Sequence, residues 1–406
     1  MRKSPVLFKQ HIGWHFYKHW VTQGKRKPLE TGAEETLKRR GIRVFQPDDV
    51  LKEKRVFERV EVIGYKDVPV PLDHTHPDWH DRALMSYKDH NVLLEGLNQA
   101  KIVTNSIEIE TNLPEKIKIS ELPKDVDKIS KYIIFNSHLF DAEQKKLPII
   151  KDPSRPAWNF PRTYGITQDR RNKLITQKFL NLIESISDGQ VVKKRYIFED
   201  LPFSFPFERN DSLVQLECCR NVILSSIKPL SPISNESTDN YDLPDISPID
   251  PLITFNKEHI YKINDIYPIK STVKASHPHT IIIHFDKEFV KNLYEEEVTE
   301  QQIFGRSLLK TFTVAASYAR QRYGKDVKKL PEPITLQCVH TDGHFFHLGV
   351  FQLNSLDLQS TSTKNIWYQT SLQYLFDSCK YVSGKPVLEG YNNQIIRQLH
   401  SLYNNV

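Results

Sequence analysis

The chain has 406 residues, of which 39% are hydrophobic, 11% aromatic and 26% charged. Such a composition supports a packed core and argues against general disorder. The 56 Lys and Arg against 50 Asp and Glu leave a formal charge of +6, and the four cysteines, Cys218, Cys219, Cys338 and Cys379, form neither C-x-x-C nor a Cys/His ligand cluster, which speaks against a disulfide framework and fits a reducing compartment.

The charge is concentrated at the N-terminus. Met1 to Leu29 carry seven Lys or Arg and no Asp or Glu, interleaved with apolar Val6, Leu7, Phe8, Ile12, Trp14, Phe16 and Trp20. This is the pattern that organelle import machinery reads; a basic arm on nucleic-acid phosphates and a plain solvated run are the other readings. His11, His15, Lys18 and His19 break the apolar run before it reaches secretory length. Residues 1–59 hold 15 basic against 7 acidic side chains, leaving 41 against 43 for the rest. A near-neutral remainder cannot hold RNA by a uniform positive field, so any nucleic-acid contact is local.

Further along, Glu34 to Arg43 reads as a short polar helix ending at Gly41, and Phe45 to Pro77 as extended, with Pro69, Pro71 and Pro77 forbidding a long regular element. A helix is predicted over Asp89 to about Asn105. Leu147 to Pro161, with four prolines, reads as an irregular connection. Asp169 to Ser187 is an amphipathic helix with a Leu174, Ile175, Phe179, Leu182, Ile183, Ile186 stripe, stopped by Gly189. Strands follow at Val192–Phe198, Phe203–Phe207 and Ser212–Cys218, then a Pro/Ser/Asp-rich loop from Lys228 to Leu252. His279 to Phe285 reads as a buried strand. The next helix is the best specified: Thr299 and Gln302 make a capping box, an apolar stripe runs from Ile303 to Ala319, and Gly324 closes it. Its Arg306, Lys310, Arg320 and Arg322 read as a solvated face. Thr341-Asp342-Gly343 predicts a hairpin within Ile334–Asn354. Two short helices are expected last, around Leu372–Cys379 and Ile395–Leu402. These elements predict an α+β fold, a mixed and mostly antiparallel sheet with packed helices behind an extended basic arm. The organisation reads as 1–29 targeting segment, 30–88 arm and 89–406 scaffold with its loop at 228–252. No stretch has the length needed to cross a bilayer.

Candidate chemistry is sparse. His74, His76, Asp78 and His80 concentrate metal-ligating side chains, and His-x-His places two imidazoles on one face of a strand. The dinuclear hydrolase pattern H-x-H-x-D-H fails, because the third His is one residue late and Pro77 bends the chain. His340, His344 and His347 flank the predicted hairpin turn and read as turn or surface residues, and Cys338 as a buried strand thiol. Phosphate-binding glycine loops and the common hydrolase motifs are absent. For RNA the candidates are Lys38, Arg39, Arg40, Arg43, Lys52, Lys54, Arg55 and Arg59, with Lys193, Lys194 and Arg195 as a second choice; such side chains position phosphates.

Asn91 to Glu115, NVLLEGLNQAKIVTNSIEIETNLPE, with His74-x-His76-Pro77, Pro278-His279-Thr280 and VHTDGHFFHLGVFQLNSLDL from Val339 to Leu358, resembles the family of the mitochondrial large-subunit ribosomal protein numbered thirty-seven. The resemblance covers most of the chain beyond about residue 45 and is weakest over 116–171 and 228–252. It implies an imported structural constituent of the mitochondrial ribosome in the matrix, without activity, cofactor or catalytic residue. The implied partners are large-subunit rRNA and other mitochondrial ribosomal proteins, including a sister family once named small-subunit protein thirty, with no membrane insertion. On this reading Met1 to Leu29 is a mitochondrial transit peptide. The rival readings are a metal-dependent hydrolase built on His74, His76, Asp78 and His80, and a mitochondrial RNA-binding factor outside the ribosome.

Overall fold

The computed structural model describes residues 16–17, 19–21, 31–46, 71–109, 112–119, 121–149, 154–155, 161–219, 221–234 and 238–406. The chain divides into two units, Met1–Pro69 and Val70–Val406. In the first, residues 16–17 and 19–21 are helical and exposed, and helix α1 (Ala33–Arg39) buries no residue. It terminates near the predicted glycine: Gly41 has φ +75°, a left-handed conformation that side chains disfavour. Most of the 1–29 segment and of the predicted extended stretch 45–77 lies outside the described residues.

The second unit begins with β1 (Trp79–Tyr87), α2 (Gly96–Thr104), β2 (Ser106–Glu108), α3 (Asp125–His138), β3 (Lys145–Lys146), β4 (Tyr164–Gly165), α4 (Gln168–Ile186) and α5 (Gly189–Val192). There follow β5 (Arg195–Glu199), β6 (Phe203–Arg209), β7 (Ser212–Cys218), β8 (Asn221–Ser226), β9 (Asn256–Ile260) and β10 (His277–His284). The last third is α6 (Glu300–Tyr323), β11 (Lys329–Thr341), β12 (Phe345–Ser355), β13 (Asn365–Gln369), β14 (Gln373–Tyr374), β15 (Ser378–Val382), β16 (Lys385–Glu389) and α7 (Gln394–Asn404).

Several elements differ from expectation. Residues 79–87, assigned to the arm, form a sheet strand. The first helix starts at Gly96 rather than Asp89, because the Asn91 side chain accepts the Lys88 amide at 2.8 Å and Gly96 turns the chain at φ +53°. Gly189 does not stop α4; Asp188 accepts the Gln190 amide at 3.0 Å and opens α5, which delays the next strand to Arg195. Around Leu372–Cys379 the predicted helix is β14 and the start of β15, with Leu375 and Phe376 buried from an extended chain. Elements beyond those expected include α3, β8, β9 and β13, although α3 carries Val126, Ile129, Ile133 and Ile134 at helical spacing.

The strands form two main sheets. One runs β6-β7-β1-β9; the other runs β2-β13-β12-β11-β10-β8-β5, with β14 also on β12. Antiparallel pairs dominate, and β1/β7, β10/β11 and β13/β2 are parallel. The result is the predicted α+β architecture with mixed sheets.

α6 lies between these sheets. Phe312, Leu308 and Ala315 pack with Phe205 and Leu216 of the smaller sheet and with Ile281, Leu336 and Phe351 of the larger. Side chains at the intervening strand positions, Ile282, Val339 and Leu348, pack instead with Ile175 and Phe179 of α4 and Ile396 and Leu399 of α7. A sheet covered on both faces explains the unbroken apolar run of β10. Burying each such side chain contributes roughly 1.5–3 kcal/mol. α2 reaches α6 through Gly96 and Gly305, where a Cβ on either would collide with the other helix's backbone.

Candidate nucleic-acid interface

The first-choice RNA candidates divide between described and undescribed residues. Lys38 and Arg39 close α1, where Lys38 pairs with Glu34 at 2.8 Å and Arg39 with Glu35 at 3.8 Å. Such exposed i,i+4 pairs are worth only about 0.3–0.5 kcal/mol, so a phosphate can displace them. Arg40 and Arg43 follow α1 and are exposed. Lys52, Lys54, Arg55 and Arg59 lie outside the described residues.

The second choice separates into two roles. Lys193 and Lys194 are exposed in the turn between α5 and β5 rather than on a strand. Arg195 is buried, donating to the Asn405 carbonyl at 2.5 Å and to the Tyr403 carbonyl at 3.3 Å. His279 and Gln337 complete this clamp: His279 Nε2 lies 2.9 Å from the Asn405 carbonyl, and Gln337 donates to the Leu402 carbonyl at 2.9 Å. Arg195 therefore fastens residues 403–405 to the sheet, with its guanidinium committed to those carbonyls.

The charged face expected on α6 is also mostly internal. Arg306 and Lys310 are only 3% and 1% exposed. Lys310 Nζ donates to Asp89 Oδ1, Arg306 donates to the Asp89 carbonyl, and the Cys219 amide donates to Asp89 Oδ2 at 2.8 Å. Burial opposes the Asp89 charge, but Lys310, Arg306 and these hydrogen bonds outweigh it and hold the carboxyl well below the ordinary range. Farther along, Arg320 pairs with Asp265 at 3.3 Å and stacks over Phe205, while Arg322 reaches Glu332 at 3.4 Å. From Gln302 to Ala319 α6 is buried all round, so its polar residues there need internal partners.

The histidines resolve differently from a metal centre. Asp73 Oδ1 accepts the Thr75 amide at 2.9 Å, and His76 Nδ1 accepts the Asp78 amide at 3.0 Å. Asp78 pairs with Lys262 at 3.4 Å, and His80 stacks on Tyr261. These contacts build a turn leading into β1. Among the described residues no group of three or more His, Cys, Asp or Glu is placed to hold a metal ion.

His340 and His347 are not turn or surface residues. They face each other across β11 and β12, both fully buried, and each Nδ1 lies 2.9 Å from Ser307 Oγ of α6. Ser307 also lies 3.0 Å from the Ile303 carbonyl, which can only accept, so its single proton goes there and both imidazoles donate from Nδ1. Burial keeps them neutral, pushing His347 down to about 3 and His340, also repelled by Arg306, well below the histidine norm. His344 occupies the turn as expected, with Nε2 2.7 Å from the Phe376 carbonyl. Cys338 is buried as expected, its thiol pushed up to about 12 by burial.

Asp89, Arg306, Lys310, His340 and His347, the buried side chains most suggestive of chemistry, thus form internal connections. Comparison with known proteins finds similarity over most of the chain. The chain is similar to large ribosomal subunit protein mL37. The Bos taurus protein of that name is 26% identical over 354 residues, covering 82% of this chain and 78% of the relative. The Rattus norvegicus protein is 28% identical over 332 residues, covering 78% and 72%, and that of Mus musculus 29% over 310, covering 73% and 67%. No family model matches the chain. Among the described residues no helix is long and apolar enough to cross a membrane.

Proposed function

We propose that this chain is a structural constituent of the mitochondrial large ribosomal subunit, supporting translation through protein and local rRNA contacts and catalysing nothing. The observation that carries this reading is the similarity to mL37 across 354 residues, which spans too much of the chain to reflect one shared motif. The geometry is consistent with it: Asp89, Arg306, Lys310 and the Ser307-linked histidines are spent on joining α6 to its two sheets. Residues 1–29 act as the mitochondrial targeting segment, the chain from residue 30 up to β1 links it to the scaffold, and the mature protein resides in the matrix. Lys38, Arg39, Arg40, Arg43, Lys52, Lys54, Arg55 and Arg59 meet rRNA phosphates, and the family once named small-subunit protein thirty is a neighbour.

Sedimentation tests the reading. A tagged full chain in mitochondrial lysate should travel with the large subunit on a sucrose gradient and stay there after a high-salt wash. A chain remaining at the top of the gradient would overturn the proposal. One that enters but is stripped steeply by salt is a loosely bound RNA factor.

A further inference from the structure

The hairpin β15–β16 belongs to neither main sheet. Its base is tied into the fold: Cys379 and Leu388 pair across the strands and pack beneath the larger sheet, Ser378 Oγ donates to Glu389 at 2.6 Å, and Asp377 lies against Gly390. Beyond that base every residue from Lys380 to Pro386 is exposed. The chain reverses at Ser383 and Gly384, with φ of 50° and 77°, a conformation suited to a tight two-residue hairpin turn.

The tip has a single sign of charge. Between Ser378 and Leu388 there is no carboxylate, and the two charged residues are Lys380 and Lys385. The register pairs Lys380 with Val387 and Val382 with Lys385, so strand alternation sets both lysines on one face and Tyr381, opposite Pro386, on the other. Tyr381 is 52% exposed and meets the edge of Phe140, itself 46% exposed, at 5.9 Å between centroids. Two half-exposed rings thus stand on one face of the tip and two exposed cations on the other, the thickness of a two-stranded hairpin apart. A core has no need of that arrangement, but a strand wrapped over the narrow tip can use both faces: the ring offers a stacking platform to an unstacked base, and the lysines meet phosphates that pass round the edge.

Resting on the ribosomal reading above, we infer that the β15–β16 tip is an RNA-binding finger, taking a single-stranded or looped rRNA segment with a base against Tyr381 and phosphates at Lys380 and Lys385. Another exposed aromatic shows the contrast. Tyr294 is 92% exposed but is followed directly in the chain by Glu295, Glu296 and Glu297. Three consecutive carboxylates repel phosphate, which makes Tyr294 an internal control.

A benzophenone side chain placed at Tyr381 or at Tyr294 of the full chain, followed by irradiation and isolation of large subunits, reads the contact directly. At Tyr381 a nuclease-sensitive cross-link to rRNA is expected, reduced at least fivefold by Lys380→Glu with Lys385→Glu; at Tyr294 none is expected. A cross-link from Tyr381 to protein alone, or no cross-link in a chain that sediments with the large subunit, overturns the finger and leaves the ribosomal reading standing. A second measurement does not depend on the ribosome: binding of a 12-nucleotide oligouridine to the purified full chain. Tyr381→Ala should weaken it roughly 5- to 150-fold, Tyr381→Phe should retain it, and Lys380→Ala with Lys385→Ala should flatten the log K against log salt slope by about 1.4. Equal binding by all variants at unchanged thermal midpoints refutes the inference.

Discussion

Lys310→Met, which keeps the length of the side chain but removes its charge, interrogates the internal ion pair on which α6 depends. Lys310 and Asp89 are 1% and 9% exposed at the side chain, and they join α6 to the segment between β1 and α2, 221 residues away in sequence. Removing one partner of a buried pair leaves an uncompensated charge, at a cost of roughly 3–5 kcal/mol. Here Arg306 and the Cys219 amide still face the Asp89 side chain or its carbonyl, which places the expected loss toward the lower end. The assay is urea unfolding of the full chain, read as a shift in midpoint at constant slope. The pH dependence supplies the sign. In the native chain the Asp89 pKa is depressed, so its stabilisation is complete above the unfolded carboxylate value, about 3.9, and is lost as pH falls through the lower folded value. Without Lys310, burial dominates and raises the pKa, so protonation relieves the variant and its deficit against the native chain shrinks between pH 7 and pH 4.5. Asp89→Asn combined with Lys310→Met should recover a large part of the loss, since neither charge is then stranded. A loss below about 1 kcal/mol at pH 7, or a deficit that does not change with pH, would refute the ion pair as the connection.

Four other outcomes are expected. The buried imidazoles have folded pKa values far below the unfolded 6.5, at about 3 for His279 and His347 and about 4 for His284, with burial the leading cause in each. The unfolded chain therefore takes up protons first, and the urea midpoint should fall as pH drops from about 6.5 toward 4; a flat profile contradicts their neutrality. Arg195→Met should cost about 1.5–3 kcal/mol, as for hydrogen bonds to a charged group, and speed carboxypeptidase removal of the last four residues, whereas unchanged protection would mean that Arg195 does not clamp the C-terminus. Gly349→Ala drives a methyl group into the Trp367 ring, so a loss of roughly 1–3 kcal/mol is expected with altered tryptophan fluorescence; a neutral substitution would show the ring has room to move. Chelator treatment should leave the thermal midpoint unchanged, and stoichiometric zinc lost in His74→Ala would restore the hydrolase reading.

What the sequence disclosed was local. The Thr299–Gln302 capping box, the β10 run and the Thr341-Asp342-Gly343 turn each depend on residues a few positions apart, and each occurs where expected. What it concealed depends on distant partners. Arg306 and Lys310 look like a solvated stripe at i,i+4 spacing until Asp89 is brought beneath them, and His340 and His347 look peripheral until α6 places Ser307 between them. One signal was present: from Ile303 to Ala319 the only charged residues are Arg306 and Lys310, and a helix so nearly apolar all round is buried on every side. The false helix at Leu372–Cys379 arose because Leu375, Phe376 and Cys379 fall near a helical period, while the Ser383-Gly384 pair just beyond them was the better guide to a hairpin. Lys380 and Tyr381 could not be recognised as a surface pair without that hairpin.

The placement of charge then bears on how such a chain would sit among neighbours. Among its positive groups, Arg195, Arg306 and Lys310 hold the interior together, Lys38, Arg39 and Arg322 pair with carboxylates at the surface, Arg40, Arg43, Lys193 and Lys194 are exposed in turns and connections, and Lys380 and Lys385 stand on an acid-free tip. Only cations free of internal work can release counterions from a nucleic acid, so a count of Lys and Arg overstates what this fold offers to RNA. In the cleft between Phe285, Ile303 and Leu372 the carboxylates of Glu296, Glu297, Glu300 and Asp342 outnumber the ammonium groups of Lys287 and Lys291, so it attracts phosphate less than the tip does. A near-neutral scaffold whose cations are largely engaged in its own fold faces RNA over small areas, at the tip and in the basic stretch that precedes β1, and the larger share of its surface must be accommodated by protein or water.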